Sequence, residues 1–236
     1  MLLVYMTTYI AISPLNAPIP SPSVTSGIFS TTNFLGPLIG GITNAILLTL
    51  FIYCFGGVSG AHLNPLISLA TFFARLTSLP RTVLYVVFQT IGATLAGLLI
   101  RASYGTREFK TGGCFLETET VTIGSMFAIE FTACLTLLFL AFGVGLDPSQ
   151  RQIFGPALAP ILVGLALGVM SFGTAFARPG YGGASMNPAR CFGVFVGSRF
   201  PGWHWIHWVA PLAAGMLHGL FYIIIPPWTE TAEASK

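Results

Sequence analysis

Two stretches of the sequence resemble each other and decide the fold: Ser59-Gly60-Ala61-His62-Leu63-Asn64-Pro65-Leu66 and Gly183-Ala184-Ser185-Met186-Asn187-Pro188-Ala189-Arg190. Each contains an Asn-Pro pair that follows a long apolar run, and the two asparagines lie 123 residues apart (187 − 64). About ten apolar residues follow each pair, half the length of a membrane-spanning helix. Short hydrophobic segments at matching positions in two halves of a chain indicate inverted repeats with discontinuous helices.

The Asn-Pro pair is well suited to begin a helix, because Asn is a favoured N-cap and Pro is favoured at the first helical position. We therefore expect two half-helices that enter the membrane from opposite faces and meet near its midplane. Their N-termini each carry about half a positive charge and repel cations, while Asn64 and Asn187 can donate N–H groups to a neutral solute. One Asn-Pro pair is a common turn dipeptide, so the prediction depends on two copies in equivalent surroundings.

Arg190 lies in the first turn of the second predicted half-helix, where a cation opposes the helix dipole. A charge near membrane depth indicates a function. We expect Arg190 to hydrogen-bond a permeating solute and to add to cation exclusion; the alternative is a structural ion pair.

The composition excludes a water-soluble protein. Of the 236 residues, 54% are apolar and 7% are charged, whereas about a quarter of a soluble domain is charged. The net charge of +3 is too small and too scattered for a phosphate-binding surface, so we expect no nucleic-acid partner. The main solvent of the chain is predicted to be the lipid bilayer.

Several apolar runs reach the length of about 20 residues that a spanning helix needs: 34–57, 81–103, 122–145, 156–177 and 205–226. A further apolar segment, Met1–Ile12, is 12 residues long. We interpret it as a truncated first span, which makes six; an interfacial helix is the alternative.

The remaining segments are predicted to be polar connections. Residues 104–121 and 146–155 are expected to be loops, and residues 227–236 form a polar tail. The whole chain, 1–236, is predicted to be a single domain, with a first repeat at about 1–103 and a second at about 122–226.

These motifs resemble those of the aquaporin and aquaglyceroporin family, the major intrinsic proteins. Asn64-Pro65-Leu66 matches the first family motif with Leu in place of Ala, and Asn187-Pro188-Ala189-Arg190 matches the second without change. The chain looks most like the X intrinsic proteins of fungi and plants, because of the altered first motif, Cys191 directly after the second, and Gly112-Gly113-Cys114.

The resemblance implies an all-α membrane protein: a right-handed bundle of six helices plus two re-entrant half-helices, assembled as a homotetramer with one pore per protomer. The family's acidic residue in the first helix has no counterpart here. The acidic partner of that residue in the fourth helix does have a counterpart, Glu130, which is expected to support a re-entrant loop by accepting backbone N–H groups.

His62 is expected to line the vestibule or to hydrogen-bond within its loop. Leu66, bulkier than the usual Ala, is expected to narrow the midplane.

The resemblance also implies a selectivity filter with four wall positions: Asn44, Ser171, Ala184 and Arg190. Counting back from the second motif without a loop insertion gives Ala175 in place of Ser171. For Asn44 the alternative is a polar bridge between two helices. A filter without bulky aromatic groups is wide and polar, so we expect it to pass glycerol, urea, hydrogen peroxide and boric acid, with modest permeability to water.

Two other functions compete with a passive channel. An ion-coupled secondary transporter also uses inverted repeats, but it needs ionisable groups near the midplane, where this chain offers little besides Glu130. An enzyme needs a nucleophile and base or a metal, and the four histidines form no ligand pattern. We therefore expect a channel with no catalytic site, cofactor or metal, in the plasma membrane.

Cys114 stands in a polar loop. We expect it to contact another protomer or a neighbouring loop, and the alternative is a free thiol.

Overall fold

The computed structural model describes residues 35–225, and this part of the chain is almost entirely helical. The α-helices are α1 Leu35–Ser59, α2 Pro65–Phe73, α3 Leu79–Tyr104, α4 Ile123–Ala141, α5 Pro148–Thr174, α6 Pro188–Gly197 and α7 Ile206–Ile224. A π-helical segment, Phe142–Leu146, continues α4. The predicted first span at Met1–Ile12 and the polar tail lie outside the described residues.

Five helices within residues 35–225 are long and apolar enough to cross a membrane. They are 19 to 27 residues long and coincide with the five predicted runs to within a few residues, except at the start of α5. Large apolar side chains face outward from them: Ile42, Phe88 and Leu220 are each more than half exposed. A soluble monomer rarely exposes so much apolar surface, whereas lipid solvates it, so the multi-pass prediction is confirmed.

The start of α5 differs from the prediction, which placed a loop at 146–155. Asp147 accepts a hydrogen bond from the Ser149 N–H at 2.7 Å, and Pro148 occupies the first helical position. Cap and proline together begin a helix there. Gly155, with φ of 70°, then kinks it before it continues into the apolar run.

The two half-helices have the lengths that the sequence predicts, nine residues in α2 and ten in α6. Each packs on a spanning helix from the other half of the chain: α2 on α7, and α6 on α3. The short helix of each half packs in the same way on the other half, as expected of an inverted repeat. The predicted all-α architecture is therefore confirmed.

The contact between α3 and α6 brings two backbones together. A Cβ added to Gly97 would lie 1.8 Å from the Gly193 carbonyl oxygen, and one added to Gly193 would lie 2.2 Å from the Ala93 carbonyl oxygen. Small residues allow such an approach in lipid, where dispersion contacts drive helix association. This contact fixes α6 and the residues at its N-terminus.

Candidate functional site

The N-termini of α2 and α6 are capped by the two asparagines of the repeated motif. The Asn64 Oδ1 accepts a hydrogen bond from the Leu66 N–H at 2.9 Å, and the Asn187 Oδ1 accepts one from the Arg190 N–H at 3.2 Å. Each asparagine has extended φ and ψ and is followed by proline at the first helical position. Both half-helices therefore begin as the Asn-Pro pair predicts.

The two asparagines also brace each other's loops. The Asn64 Nδ2 donates to the Met186 carbonyl at 2.7 Å, and the Asn187 Nδ2 donates to the Leu63 carbonyl at 3.3 Å. Leu63 and Met186 hold equivalent places immediately before the asparagines and have φ of 54° and 53°. The two helix N-termini therefore face each other, and each is held by a side chain from the opposite half.

Glu130 of α4 lies fully buried beside the second re-entrant loop (residues 175–187). Its carboxylate accepts hydrogen bonds from the Met186 N–H at 2.7 Å, the Ser185 N–H at 3.0 Å and the Tyr181 hydroxyl at 3.0 Å. The His207 Nδ1 lies 3.6 Å from Glu130 Oε1. Two of these donors are backbone groups of the loop that precedes Asn187, so the carboxylate holds the residues immediately before α6 in place.

A cavity of about 590 Å³ passes both asparagines. Its wall on α1 runs from Asn44 to Gly57, so it extends about 20 Å along that helix at 1.5 Å per residue. Asn64, Asn187 and Arg190 contribute polar groups on the side of the half-helices. The rest of the lining is mainly apolar, with a few hydroxyls and other polar groups. The result is a long space with polar groups at a few points.

A second, much smaller cavity of about 40 Å³ adjoins the first. Asn44, Ser171 and Arg190 line both cavities, and Ala184 lines the smaller one. The Asn44 Nδ2 donates to the Ser171 Oγ at 3.2 Å. We call the ring formed by these four residues the constriction.

The structure thus brings together the four positions that the sequence singled out. The alternative residue, Ala175, lines neither cavity, and its backbone lies 3.2 Å from a Cβ added to Gly183. The hydrogen bond between Asn44 of α1 and Ser171 of α5 also fits the reading of Asn44 as a bridge between two helices. The bridge lies in the wall of the constriction, and a role of Asn44 in selectivity stays a prediction.

The environment of Arg190 contains a feature that the sequence analysis missed. Cys114 and Cys191 form a disulfide with a Cα–Cα distance of 5.3 Å. The alternative of a free thiol at Cys114 is therefore wrong. The expected contact with a neighbouring loop is found, because the Gly113 N–H donates to the Gly182 carbonyl of the second re-entrant loop, and a contact with another protomer stays a prediction. Both cysteines adjoin motif residues, which was the available signal, but a disulfide requires Cα atoms within about 7 Å, and a separation of 77 residues says nothing about that distance.

The Arg190 guanidinium itself is held by the loop that carries Cys114. Nη2 donates to the Gly112 carbonyl, and Nη1 lies 3.7 Å from the Cys114 sulfur. Gly112 and Gly113 join Arg190 in the lining of the smaller cavity. This loop is therefore part of the wall of the constriction, a role that no sequence pattern predicts.

His62 lines the larger cavity, and its Nδ1 lies 3.2 Å from the Ser68 Oγ. Its ring packs against Tyr85 with centroids 4.7 Å apart. Burial, with a smaller contribution from the charge of Arg81, lowers the pKa of His62 from 6.5 to about 4. The side chain is therefore neutral near pH 7.

Leu66 is fully buried in a cluster with Met186 and Ala214 and does not line either cavity. The expectation that it narrows the midplane is therefore wrong.

Within residues 35–225, no three His, Cys, Asp or Glu side chains lie close enough together to bind a metal ion.

Comparisons with known proteins agree with this architecture. Residues 30–222 match the family model described as Major intrinsic protein. The chain is 33% identical over 194 residues to "Probable aquaporin PIP2-7" of Oryza sativa subsp. japonica. The alignment covers 78% of this chain and 65% of the rice protein. It is also 31% identical over 203 residues to "Probable aquaporin TIP3-2" of Arabidopsis thaliana, and this alignment covers 85% of this chain and 72% of that protein.

A solved structure gives the same result for the fold. The X-ray structure of the aquaglyceroporin from Plasmodium falciparum superposes with a TM-score of 0.71, covering 95% of this chain and 94% of that one at 17% identity. At that identity the likeness is one of fold. The chain spans 65% and 62% of the lengths of the rice PIP2-7 protein and of "Aquaporin PIP2-1" of Arabidopsis thaliana.

Proposed function

Because the chain belongs to the major intrinsic protein family, we propose that it forms a passive transmembrane channel for small neutral solutes. The observation that carries the proposal is the constriction: none of the described residues that line the smaller cavity is aromatic. An aromatic side chain would fill space there and force single-file passage. Without one, the ring admits molecules larger than water.

The polar groups of the constriction favour solutes that both donate and accept hydrogen bonds. Asn44 carries an amide donor and acceptor, Ser171 a hydroxyl, and Arg190 fixed donors in a planar group. Glycerol, urea, hydrogen peroxide and boric acid have complementary groups and are the proposed solutes. The same groups hold passing water by hydrogen bonds, so the proposed water permeability is modest.

The electrostatics of the site support exclusion of cations. Two helix N-termini, at Pro65 and Pro188, face the cavity near Asn64 and Asn187, and each contributes about half a positive charge. Arg190 adds a full charge at the constriction. A neutral solute crosses this region without electrostatic cost, whereas a cation is repelled by all three groups.

The wider assignment rests on the family and on the sequence motifs. We propose a homotetramer with one pore per protomer in the plasma membrane, with the four positions of the constriction as the selectivity filter. Cys191 and Gly112-Gly113-Cys114 support a place among the X intrinsic proteins.

The alternative, an ion-coupled transporter, finds no support at Glu130. Its carboxylate already accepts three hydrogen bonds from the second re-entrant loop, so it serves as an anchor rather than as an ion site.

Stopped-flow light scattering on proteoliposomes separates the two functions. We expect fluxes of glycerol and urea that are linear in concentration, equal in both directions and low in activation energy; saturable flux that requires an ion gradient would contradict the channel.

A further inference from the structure

The loop that carries Cys114 lies along the second re-entrant loop. We call residues 111–117 the tethered loop. Its Gly113 N–H donates to the Gly182 carbonyl at 2.6 Å, its Phe115 carbonyl accepts from the Gly182 N–H at 3.0 Å, and its Glu117 N–H donates to the Gly180 carbonyl at 2.8 Å. Backbone hydrogen bonds thus place the tethered loop against the segment that leads to Ala184 and Arg190.

The tethered loop touches Arg190 at three consecutive residues. Gly112 accepts a hydrogen bond from the guanidinium, and the Cys114 sulfur lies 3.7 Å from Nη1. Between them, Gly113 has φ of 78°, and a Cβ added to it would lie 2.2 Å from Nη1. The guanidinium therefore packs directly on the backbone of this loop, in a position that only glycine at 113 allows.

We propose that the Cys114–Cys191 disulfide is a positioning element that holds Arg190 in the constriction and thereby sets which solutes pass; this rests on the channel function proposed above. The bond joins the residue after Arg190 to the loop that accepts the Arg190 hydrogen bonds. Both ends of the arginine, its backbone and its guanidinium, are thus fixed to the same loop. Cys191 is fully buried, so the tether lies behind the wall of the constriction rather than in the cavity.

Breaking the disulfide releases this arrangement. A dithiol such as dithiothreitol transfers two electrons and two protons to the bond, which leaves thiols at Cys114 and Cys191 while the dithiol becomes a cyclic disulfide. The tethered loop then loses its covalent link to Cys191 and keeps its hydrogen bonds to the second re-entrant loop and to Arg190. Arg190 gains rotational freedom, its charge stays near the constriction, and the exclusion of larger solutes such as glycerol weakens.

Flux in proteoliposomes tests whether the disulfide acts through Arg190. Groups in one hydrogen-bond network are coupled, so we expect reduction to raise the glycerol-to-water permeability ratio by about twofold or more. In Arg190→Ala, reduction should leave the ratio unchanged.

A double variant, Cys114→Ser with Cys191→Ser, should behave like the reduced protein and not respond to dithiol. Cys54 is a free cysteine on α1, so Cys54→Ser should respond to dithiol like the wild type. An equal response in wild type and Arg190→Ala would overturn the proposal.

A second readout needs no flux and so separates this proposal from the proposed function. Phenylglyoxal modifies accessible arginines, and peptide mass spectrometry reports the rate at each site. Reduction should increase the rate at Arg190 several-fold and leave the rate at Arg199, an exposed arginine that lines neither cavity of the site, unchanged. An unchanged rate at Arg190 after both thiols are shown to be free would refute the positioning role, whatever the solute fluxes are.

Discussion

Leu63 and Met186 adopt a left-handed backbone that bulky residues seldom adopt. Such a conformation costs about 1–2 kcal/mol per residue. It turns each carbonyl toward the asparagine of the opposite half, which donates a hydrogen bond to it. Each asparagine therefore caps its own half-helix with its oxygen and holds the other loop with its nitrogen, and the cost at Leu63 and Met186 is offset by these bonds.

Arg190 is expected to be an electrostatic barrier. Two unit charges 4 Å apart interact by about 4 kcal/mol at an effective dielectric constant of 20, and a third of that energy is about tenfold in rate. Arg190→Ala should therefore raise proton or cation leak in reconstituted membranes by about tenfold or more. Arg199→Ala, which removes an exposed arginine paired with Glu108, is the matched control. Unchanged ion conductance in a folded Arg190→Ala protein would exclude this role.

His62 should make the protein less stable in acid. Its pKa is lowered to about 4 in the folded protein and is 6.5 when exposed, so the unfolded state binds the proton more tightly. The stability that neutral His62 contributes is complete above pH 6.5 and is lost as the pH falls toward 4. His62→Gln should show a smaller drop in melting temperature in detergent between pH 7 and 5 than the wild type. An equal drop in both proteins would show that His62 is not responsible.

At the scale of elements, the second half-helix depends on Glu130. In Glu130→Gln one acceptor oxygen becomes an NH2 group that faces the backbone N–H of Ser185 or Met186. Loss of a hydrogen bond to a charged group costs about 1.5–3 kcal/mol. The melting temperature in detergent should fall accordingly, whereas Glu119→Gln, at an exposed acid, should leave it unchanged. Equal stability of the two variants would mean that Glu130 does not anchor the loop.

The contact between α3 and α6 should not tolerate a methyl group. Gly97→Ala places a Cβ 1.8 Å from the Gly193 carbonyl oxygen, and overpacking of this kind costs about 1–3 kcal/mol or more. Gly124→Ala is the control, because a Cβ there meets nothing within 4 Å. Thermal unfolding in detergent compares them. A Gly97→Ala protein as stable as the control would show that the helices can separate without loss.

Most elements could be predicted because their signals are local. Length and hydropathy define the spans, and the Asn-Pro pair specifies where α2 and α6 begin. The disulfide, the tethered loop and the hydrogen bonds between Asn64 and Met186 could not be predicted, because they join residues distant in the chain and depend on tertiary geometry. The left-handed φ at Leu63 and Met186 is likewise imposed by tertiary bonds, against the local preference of those residues.

At the scale of the whole molecule, the proposed pore takes its residues from both halves of the chain. Asn44 and Asn64 come from the first repeat, while Ser171, Ala184 and Arg190 come from the second. The tethered loop connects the two repeats and closes one side of the constriction. The proposed selection of solutes therefore depends on the assembled fold rather than on any single motif.

The glycerol-to-water permeability ratio of Asn44→Phe in proteoliposomes tests most directly whether the polar constriction selects the solutes. Phe fills the ring and removes the amide that bonds to Ser171, so it excludes the larger solute first. A barrier to glycerol raised by about 1.4 kcal/mol through the lost space predicts a ratio about tenfold below that of the wild type. Asn44→Ser, which stays small and polar, should keep the ratio of the wild type. A folded Asn44→Phe protein with an unchanged ratio would show that Asn44 does not select the solutes.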